Sequence, residues 1–417
     1  MNKEQILWAD DEIDLLKPHI LFLQNKGYEV TTVTNGRDAL DAISQQNFHL
    51  IILDENMPGI SGLEALQQIK IAQPNVPVIM ITKSEEENIM NQAIGSEIAD
   101  YLIKPVNPMQ ILLSIKKNLH SEALVAQKAT SDYQQEFMSI SQQIAMARTI
   151  DDWYQLYNTL VRWELTLSNA ETGMADMLRM QKQEANSAFA KMVKRNYEKW
   201  VTTDDHPLMS NEIFKTQIFP HIDAGEKVCF IVIDNFRLDQ WRTISPLLND
   251  YFNIEKEELY TTILPTATQY ARNAIFSGLM PIDIERMFPE LWVDEDEDEG
   301  KNLNEAPLIQ TILDRYRRKC KFSYNKLNDS AAGERLVQHF AQLKNFDLNV
   351  IVFNFVDILS HARTESKMIR ELAYTDEAYR SLTVTWFKNS YVLEIFKRIA
   401  EQGWKIVLNN DHVKTRE

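Results

Sequence analysis

The sequence predicts an α/β protein in three parts: a doubly wound parallel-sheet domain over residues 1–119, a helical bundle over 120–215 and a second α/β domain over 216–417. Three observations carry this reading. Short apolar runs rich in β-branched residues alternate with helical stretches near both ends of the chain, the pattern of parallel strands buried on both faces. Between them lies a long stretch whose apolar residues recur at helical spacing. At both ends the apolar runs stop on carboxylates, at the strand edge where open α/β sheets hold ligands.

Composition sets the outer bounds. A chain of 417 residues exceeds one core and calls for two or three domains, and 44% hydrophobic residues suffice to fill them. No apolar run reaches the roughly 20 residues a bilayer span needs, and Met1 to Gln5 lead directly into a strand, so a cytoplasmic protein with no membrane span is expected. Only two cysteines occur, Cys229 and Cys320, the first inside an apolar run. A disulfide framework and a thiolate metal site are both unsupported, and any metal must be held by oxygen and nitrogen. The net charge of −16 opposes a broad surface for duplex DNA. The acidic run over 294–299 reads as a solvated, self-repelling loop rather than a cation site.

In the first domain, four candidate strands begin at Ile6, Leu50, Val78 and Tyr101. They end respectively on Asp10 and Asp11, on Asp54, on Thr82 and on Lys104-Pro105. Three carboxylates converging on one edge repel each other unless a divalent cation sits among them, and hard oxygen donors select Mg²⁺. Asp54 is then placed to attack a phospho-donor. Mg²⁺ on Asp10, Asp11, Asp54 and the Asn56 carbonyl neutralises the phosphoryl oxygens, Lys104 pairs with them, and Thr82 donates a hydrogen bond to the new phosphate.

An acidic pair, an acceptor Asp, a Thr and a Lys-Pro in this order and spacing resemble the CheY-like receiver domain of two-component response regulators. The resemblance implies a sensor histidine kinase as partner, a switch role for Tyr101 and a cis peptide at Lys104-Pro105. Lys83 departs from the family's usual small residue after the Thr and is expected to restrict access to the phosphate.

Asn107 is expected to cap a helix with Pro108 in its first turn. Beyond it, apolar residues at helical spacing predict three long amphipathic helices: Phe137, Ile140 and Ile144 mark the first; Trp153, Leu156, Leu160 and Val161 the second, opened by Asp151 and Asp152; and Leu178, Ala185, Met192 and Trp200 the third. Their Met and Trp stripes read as core, not as a cofactor box.

The last domain has three apolar runs, Val228 to Ile233, Val350 to Phe353 and Lys405 to Leu408. Asp234 follows the first, Asp357 and His361 the second, and Asp411 and His412 the third. Asp357 and His361, four apart, share one face if helical. Thr268 falls at the start of a helix that stops near Gly278. A hydroxyl there is the default N-cap, and alternatively a nucleophile favoured by the helix N-terminus and a metal. The mixed O/N set suits Zn²⁺, with Mn²⁺ an alternative.

These segments resemble the PglZ branch of the alkaline-phosphatase superfamily: Asp234, Arg237 and Asp239 after a strand, Pro265-Thr266-x-Thr268 before a helix, Asp357-x-x-x-His361, and Asp411-His412. The resemblance implies two metal sites, one on Asp234, Thr268, Asp411 and His412, the other on Asp357 and His361. It favours Thr268 over Thr266 as nucleophile. Val413 stands where the family has Gly, and the family's further downstream His has no counterpart before Glu417, so either the domain is incomplete at its C-terminus, the first expectation, or one metal site lacks a ligand.

Taken whole, the order of parts resembles the PorX-type response regulators associated with type IX secretion in Bacteroidetes. The implied activity is a phosphorylation-controlled, metal-dependent phosphodiesterase for small cyclic or linear oligonucleotides that forms a homodimer on phosphorylation. The alternative is a phosphorylated scaffold that binds an extracytoplasmic-function sigma factor or another protein without turnover. A general phosphomonoesterase is the other rival.

Overall fold

Strand β1 (Gln5–Ala9) opens a five-stranded parallel sheet with β2 (Glu29–Val33), β3 (Leu50–Asp54), β4 (Val78–Thr82) and β5 (Asp100–Ile103), in the order β2-β1-β3-β4-β5. The computed structural model describes residues 3–83, 87–168, 172–293 and 303–411; the acidic run over 294–299 and His412 lie outside them. The chain divides into two units, 1–131 and 132–417.

In the first unit, helices α1 (Lys17–Asn25), α2 (Gly36–Gln45), α3 (Gly62–Ala72), α4 (Glu87–Gly95) and α5 (Pro108–Leu119) follow the five strands in turn. Successive strand residues point to opposite faces, so each apolar run fills two cores at once. Leu7, Ile51, Leu53 and Met80 pack with Ala39, Leu66 and Ile69 of α2 and α3. Trp8, Ile52, Ile79 and Ile81 pack with Leu23 of α1 and Ile111 and Ile115 of α5. Asn107 caps α5 as expected, accepting from the Gln110 amide at 2.9 Å while the Gln110 side chain accepts from the Asn107 amide. The Lys104-Pro105 peptide is cis. The four sequence-predicted strands are present, and a fifth, β2, joins them. Its residues Thr31 and Thr32 break the apolar run because β2 pairs only with β1 and forms the sheet edge.

The unit boundary falls inside α6 (Ser121–Met146), which is followed by α7 (Ile150–Thr166) and α8 (Thr172–Thr202). Thr149 and Asp152 form a reciprocal capping box at the start of α7. The Trp stripe is core, with Trp153, Trp163 and Trp200 buried beside Tyr133, Ile140, Leu160 and Leu178, whereas Met138, Met146 and Met180 are exposed, so the Met stripe is not. Buried Gln181 accepts from the Tyr133 hydroxyl at 2.8 Å and donates to Ser141 and to the Phe137 carbonyl.

The same unit continues through α9 (Phe219–Asp223), β6 (Val228–Ile233), α10 (Leu238–Ile244), α11 (Thr268–Ser277), α12 (Pro281–Met287), α13 (Glu305–Arg315), β7 (Phe322–Leu327) and α14 (Ser330–Gln338). It ends with β8 (Leu348–Phe353), α15 (Phe355–Glu365), α16 (Lys367–Leu372), α17 (Asp376–Asn389), α18 (Tyr391–Glu401) and β9 (Lys405–Asn409). The sheet is parallel, in the order β7-β8-β6-β9. Every residue of β6 and β8 is buried, because helices cover both faces. Strand β7, with Ser323, Asn325 and Lys326, is again a polar edge strand that apolar patterning does not reveal.

Helix α8 packs against the chain around α11: Met192, Val193, Tyr197 and Trp200 meet Ile263, Ala271 and Ala274. The Tyr197 hydroxyl accepts from the Leu264 amide at 2.7 Å and donates to its carbonyl. Among the described residues no helix is long and apolar enough to cross a membrane.

Candidate functional site

Two carboxylate sites stand at strand ends, one in each unit. In the first, β1 delivers Asp10 and Asp11 and β3 delivers Asp54, with ligand oxygens all within 4.8 Å of one another. Asp10 and Asp54 are buried. The Lys104 ammonium, just past β5, lies 2.8 Å from Asp10 Oδ2 and 3.1 Å from Asp54 Oδ2. Burial pushes the Asp54 carboxyl above its usual value, with Asp10 and Asp11 adding to the rise and Lys104 opposing it. Burial works against the Lys104 charge, but its hydrogen bond to Asp10 and the field of both carboxylates outweigh that and hold it above its usual value. Thr82 is buried at the end of β4, Tyr101 is half-buried in β5, and Asn56 is exposed in the turn after β3. Lys83 pairs with Glu12 at 2.8 Å, beside the acidic pair. The all-oxygen donor set fits a hard divalent cation.

The second site is built at the ends of β6, β8 and β9. Asp234 directly follows β6 and is buried, as is Asp411 beyond β9. Asn235 takes a left-handed turn with φ of 58°, which an asparagine tolerates better than most residues. That turn aims its backbone N–H at Asp411 Oδ1 (3.4 Å) and its side-chain amide at Asp357 Oδ1 (3.3 Å). One residue thus ties two of the predicted groups together. Asp357 and His361 share a face of α15, with His361 Nε2 3.6 Å from Asp357 Oδ2, and His361 is half exposed.

Thr268 is the first residue of α11, with Ala267 at the cap position, so it is not the N-cap that the sequence suggests. One turn later on the same face stands Arg272, 1% exposed. Its Nη1 donates to Asp234 Oδ2 at 2.8 Å and lies 3.6 Å from Asp411 Oδ2, while its Nε lies 2.6 Å from Glu305 Oε1. Burial opposes the guanidinium charge, but the fields of Asp411, Glu305 and Asp234 raise its pKa further. Gly278 ends α11 with φ of 63°, and a Cβ there would meet Ile312 at 2.5 Å, so the turn lets α11 lie close to α13 and brings Glu305 to Arg272. The Tyr324 hydroxyl donates to Glu305 Oε2, and Lys326 Nζ lies 3.2 Å from the same oxygen. Tyr260, on the other side, donates to the Asn410 carbonyl next to Asp411.

Arg237 and Asp239 belong to a different layer. Arg237 pairs with Asp239 at 2.5 Å and with Asp376 at 3.2 Å; Arg380 joins Asp239 to Glu164 of α7; and Lys182 of α8 meets Glu164 at 2.6 Å. Burial tends to raise the Asp239 and Asp376 carboxyls, but their arginines prevail and hold both below the usual range.

The predicted residues therefore fall into Asp10, Asp11, Asp54 and Lys104 together, and into Asp234 with Asp411 and Asp357 with His361, joined through Asn235. Sequence reasoning missed Asn235, Arg272, Glu305, Tyr260, Tyr324 and Lys326. Arg272 left a trace, as a charge among Ala271, Ala274 and Ile275 on a buried helix; Glu305, 71 residues from Asp234 in sequence, left none. The second donor set, carboxylates plus an imidazole, is of the kind that takes a divalent cation, but among the described residues no three of its ligand atoms lie within 4.8 Å of one another.

Three family models match the chain: the response regulator receiver domain over 6–116, the PorX response regulator linker domain over 123–201, and the BREX system PglZ alkaline phosphatase-like domain over 213–415. The chain is 32% identical over 115 residues to the transcriptional regulatory protein ResD of Bacillus subtilis, covering 28% of this chain and 48% of ResD. It is 29% identical over 168 residues to the alkaline phosphatase synthesis transcriptional regulatory protein PhoP of the same organism, covering 40% of this chain and 68% of PhoP. The chain spans about half the length of ResD. Among solved structures it is similar to a CheY-like receiver domain protein from Methanospirillum hungatei, at 28% identity and TM-score 0.28 over 29% of this chain and 96% of that one. Vibrio cholerae CheY4 is similar at 28% identity and TM-score 0.27, over 28% and 100%.

Proposed function

Taking as premise that the chain belongs to the PorX-type response regulators, with receiver, PorX linker and PglZ alkaline-phosphatase-like domain in that order, we propose that it is a phosphorylation-controlled, metal-dependent phosphodiesterase for small cyclic or linear oligonucleotides. Residues 1–119 receive the signal, 120–215 connect, and 216–417 carry the output. The observation that carries the reading is the gathering of Asp234, Asp411, Asp357 and His361 at one sheet edge through Asn235.

In the receiver, the Asp54 carboxylate attacks the phosphorus of a phospho-donor presented by a sensor histidine kinase. Lys104, already 3.1 Å from Asp54, pairs with the transferred group, and Thr82 donates to it. When bound, Mg²⁺ on Asp10, Asp11, Asp54 and the Asn56 carbonyl neutralises phosphoryl charge. Tyr101 turns inward as Thr82 moves. Exposed apolar side chains on α4, β5 and α5, namely Ile94, Ile103, Met109 and Leu113, support pairing into a homodimer on phosphorylation.

In the output domain, the Thr268 hydroxyl sits in the first turn of α11, where the helix dipole favours its alkoxide. It attacks the diester phosphorus, and the bond to the leaving alkoxide breaks as the threonine–phosphorus bond forms. Water then displaces threonine and releases the phosphomonoester end. When bound, Zn²⁺ or Mn²⁺, held in one site by Asp234, Thr268, Asp411 and His412 and in the other by Asp357 and His361, supplies Lewis-acid stabilisation of that charge. Resemblance to the family supports a cytoplasmic role in controlling type IX secretion. The names of ResD and PhoP describe transcriptional regulators, but a net charge of −16 argues against carrying DNA binding over to this chain.

The test is metal analysis with a panel of diesters and monoesters before and after chelation. Diester turnover lost on chelation and regained with Zn²⁺ is expected. Undiminished turnover by fully metal-free protein would sink the two-metal reading. A preference for monoesters would make the output a phosphomonoesterase. No turnover of any ester by metal-replete protein would favour the scaffold that engages a sigma factor.

A further inference from the structure

We infer that Arg272, locked by Glu305, is a positioning residue that holds Asp234 for a divalent cation, and that Glu305 sets how tightly the cation binds at Asp234 and Asp411. This rests on the reading of Asp234 and Asp411 as metal ligands and extends it to residues outside every motif in the sequence.

The geometry divides Arg272 between two duties. With 1% exposure it is closed off from substrate. Its Nε edge faces Glu305 at 2.6 Å, and its Nη1 edge serves Asp234 at 2.8 Å and Asp411 at 3.6 Å. The Nε contact is an ion pair, so Glu305 draws the guanidinium charge to its side while Nη1 keeps its hydrogen bond to Asp234. Glu305 is itself immobilised: it is 1% exposed at the start of α13, and its second oxygen takes the Tyr324 hydroxyl and Lys326. Both partners come from β7, so the sheet edge anchors the glutamate that anchors the arginine.

Charge makes this anchor matter for a cation. Asp234, Asp411 and Glu305 face Arg272 and Lys326, which leaves one negative charge in excess; a divalent ion turns that into one positive. The ion therefore shares Asp234 and Asp411 with Arg272, and it binds well only while Glu305 draws part of the guanidinium charge to its own side. Neutralising Glu305 removes the contact on the Nε edge and commits the arginine charge to the two aspartates. Partners one shell out from a metal typically alter its affinity by about 10–100-fold.

The experiment is calorimetric titration of the full chain with Zn²⁺ in excess Mg²⁺, which occupies the receiver, on wild type, Glu305→Gln, Tyr324→Phe and Asp234→Asn, with circular dichroism to confirm folding. Glu305→Gln should bind Zn²⁺ about 10–100-fold more weakly, and Tyr324→Phe, which removes one hydroxyl, should shift affinity in the same direction by less. Diester turnover of both should return toward wild type as Zn²⁺ is raised to saturation, a rescue that general structural damage would not allow. Should Glu305→Gln fail to fold, Tyr324→Phe decides. Wild-type or tighter affinity in the folded variants overturns the inference while leaving the ligand reading intact. Wild-type affinity in Asp234→Asn overturns the ligand reading itself.

Discussion

The receiver site and the output site confront the same electrostatic problem, clustered carboxylates at the ends of parallel strands, and settle it with different cations. At Asp10 and Asp54 the counter-charge is Lys104, on a loop, reaching in with its side chain 13% exposed. At Asp234 and Asp411 it is Arg272, inside a helix, 1% exposed and fixed on its far edge by Glu305. A flexible ammonium can follow a charge that comes and goes, as the phosphoryl group proposed for Asp54 would. A buried guanidinium paired on both edges keeps its partners in one arrangement, which suits carboxylates proposed to hold an ion. The difference is between a site built to change and a site built to stay.

The largest expected effect lies at the changing site. Incubated with a small-molecule phospho-donor and Mg²⁺, the wild-type chain should gain one acid-labile phosphoryl group and sediment as a dimer, whereas Asp54→Asn should gain none and stay monomeric. Equal labelling of the variant would remove the receiver mechanism, and a phosphorylated wild type that remains monomeric would break the coupling to self-association.

Stability sharpens the contrast. Removing a partner from a fully buried ion pair costs about 3–5 kcal/mol, so Arg272→Met, which leaves three carboxylates facing each other, should lose that much in urea unfolding of the metal-free chain. Lys104→Met forfeits charge-assisted hydrogen bonds of about 1.5–3 kcal/mol, and added Mg²⁺ should recover part of it. Equal losses at the two sites would erase the distinction drawn between them.

Much of this was legible from the sequence, and the part that was not has a common cause. Strands β1, β3, β4, β6 and β8 announce themselves as apolar runs because their side chains are covered, while β9 shows the same run although it is a half-buried edge strand. Strands β2 and β7 do not, because edge strands carry Thr31, Thr32, Ser323 and Lys326 toward less covered surroundings. Glu305 reaches Arg272 through the close approach of α11 and α13, and Lys326 reaches Glu305 through the pairing of β7 with β8. No local spacing encodes that meeting. His361 and Asp357, by contrast, are neighbours by helical period alone.

Acid tests the layer behind the output site. Asp239 and Asp376 have carboxyls held below their usual value, against burial, by Arg237, Arg380 and Arg363. A carboxyl depressed in the folded state contributes stability that is fully present above the ordinary value of about 3.8 and lost as the pH falls through the folded value. Asp239→Asn should therefore flatten the fall in stability below that pH, measured by denaturant melts across the acid range. An unchanged slope would place the network's strength elsewhere.

A smaller effect is expected at Tyr197, whose hydroxyl bonds Leu264 four residues before Thr268. Tyr197→Phe removes a bond of about 1 kcal/mol, and diester kcat should fall several-fold with zinc affinity and fold unchanged. A fall in zinc affinity instead would mean that α8 supports the metal ligands and not the nucleophile.

The central claim, that Thr268 is the nucleophile of a phosphodiesterase, is tested most directly by mass spectrometry of the protein acid-quenched during diester turnover, alongside the rates of wild type, Thr268→Ser and Thr268→Ala at saturating zinc. The account expects a nucleotidyl adduct on the Thr268 peptide, retained turnover in the serine variant and loss of turnover by at least two orders of magnitude in the alanine variant, as for the removal of a covalent nucleophile. Wild-type turnover by Thr268→Ala, or an adduct on Thr266, would contradict it.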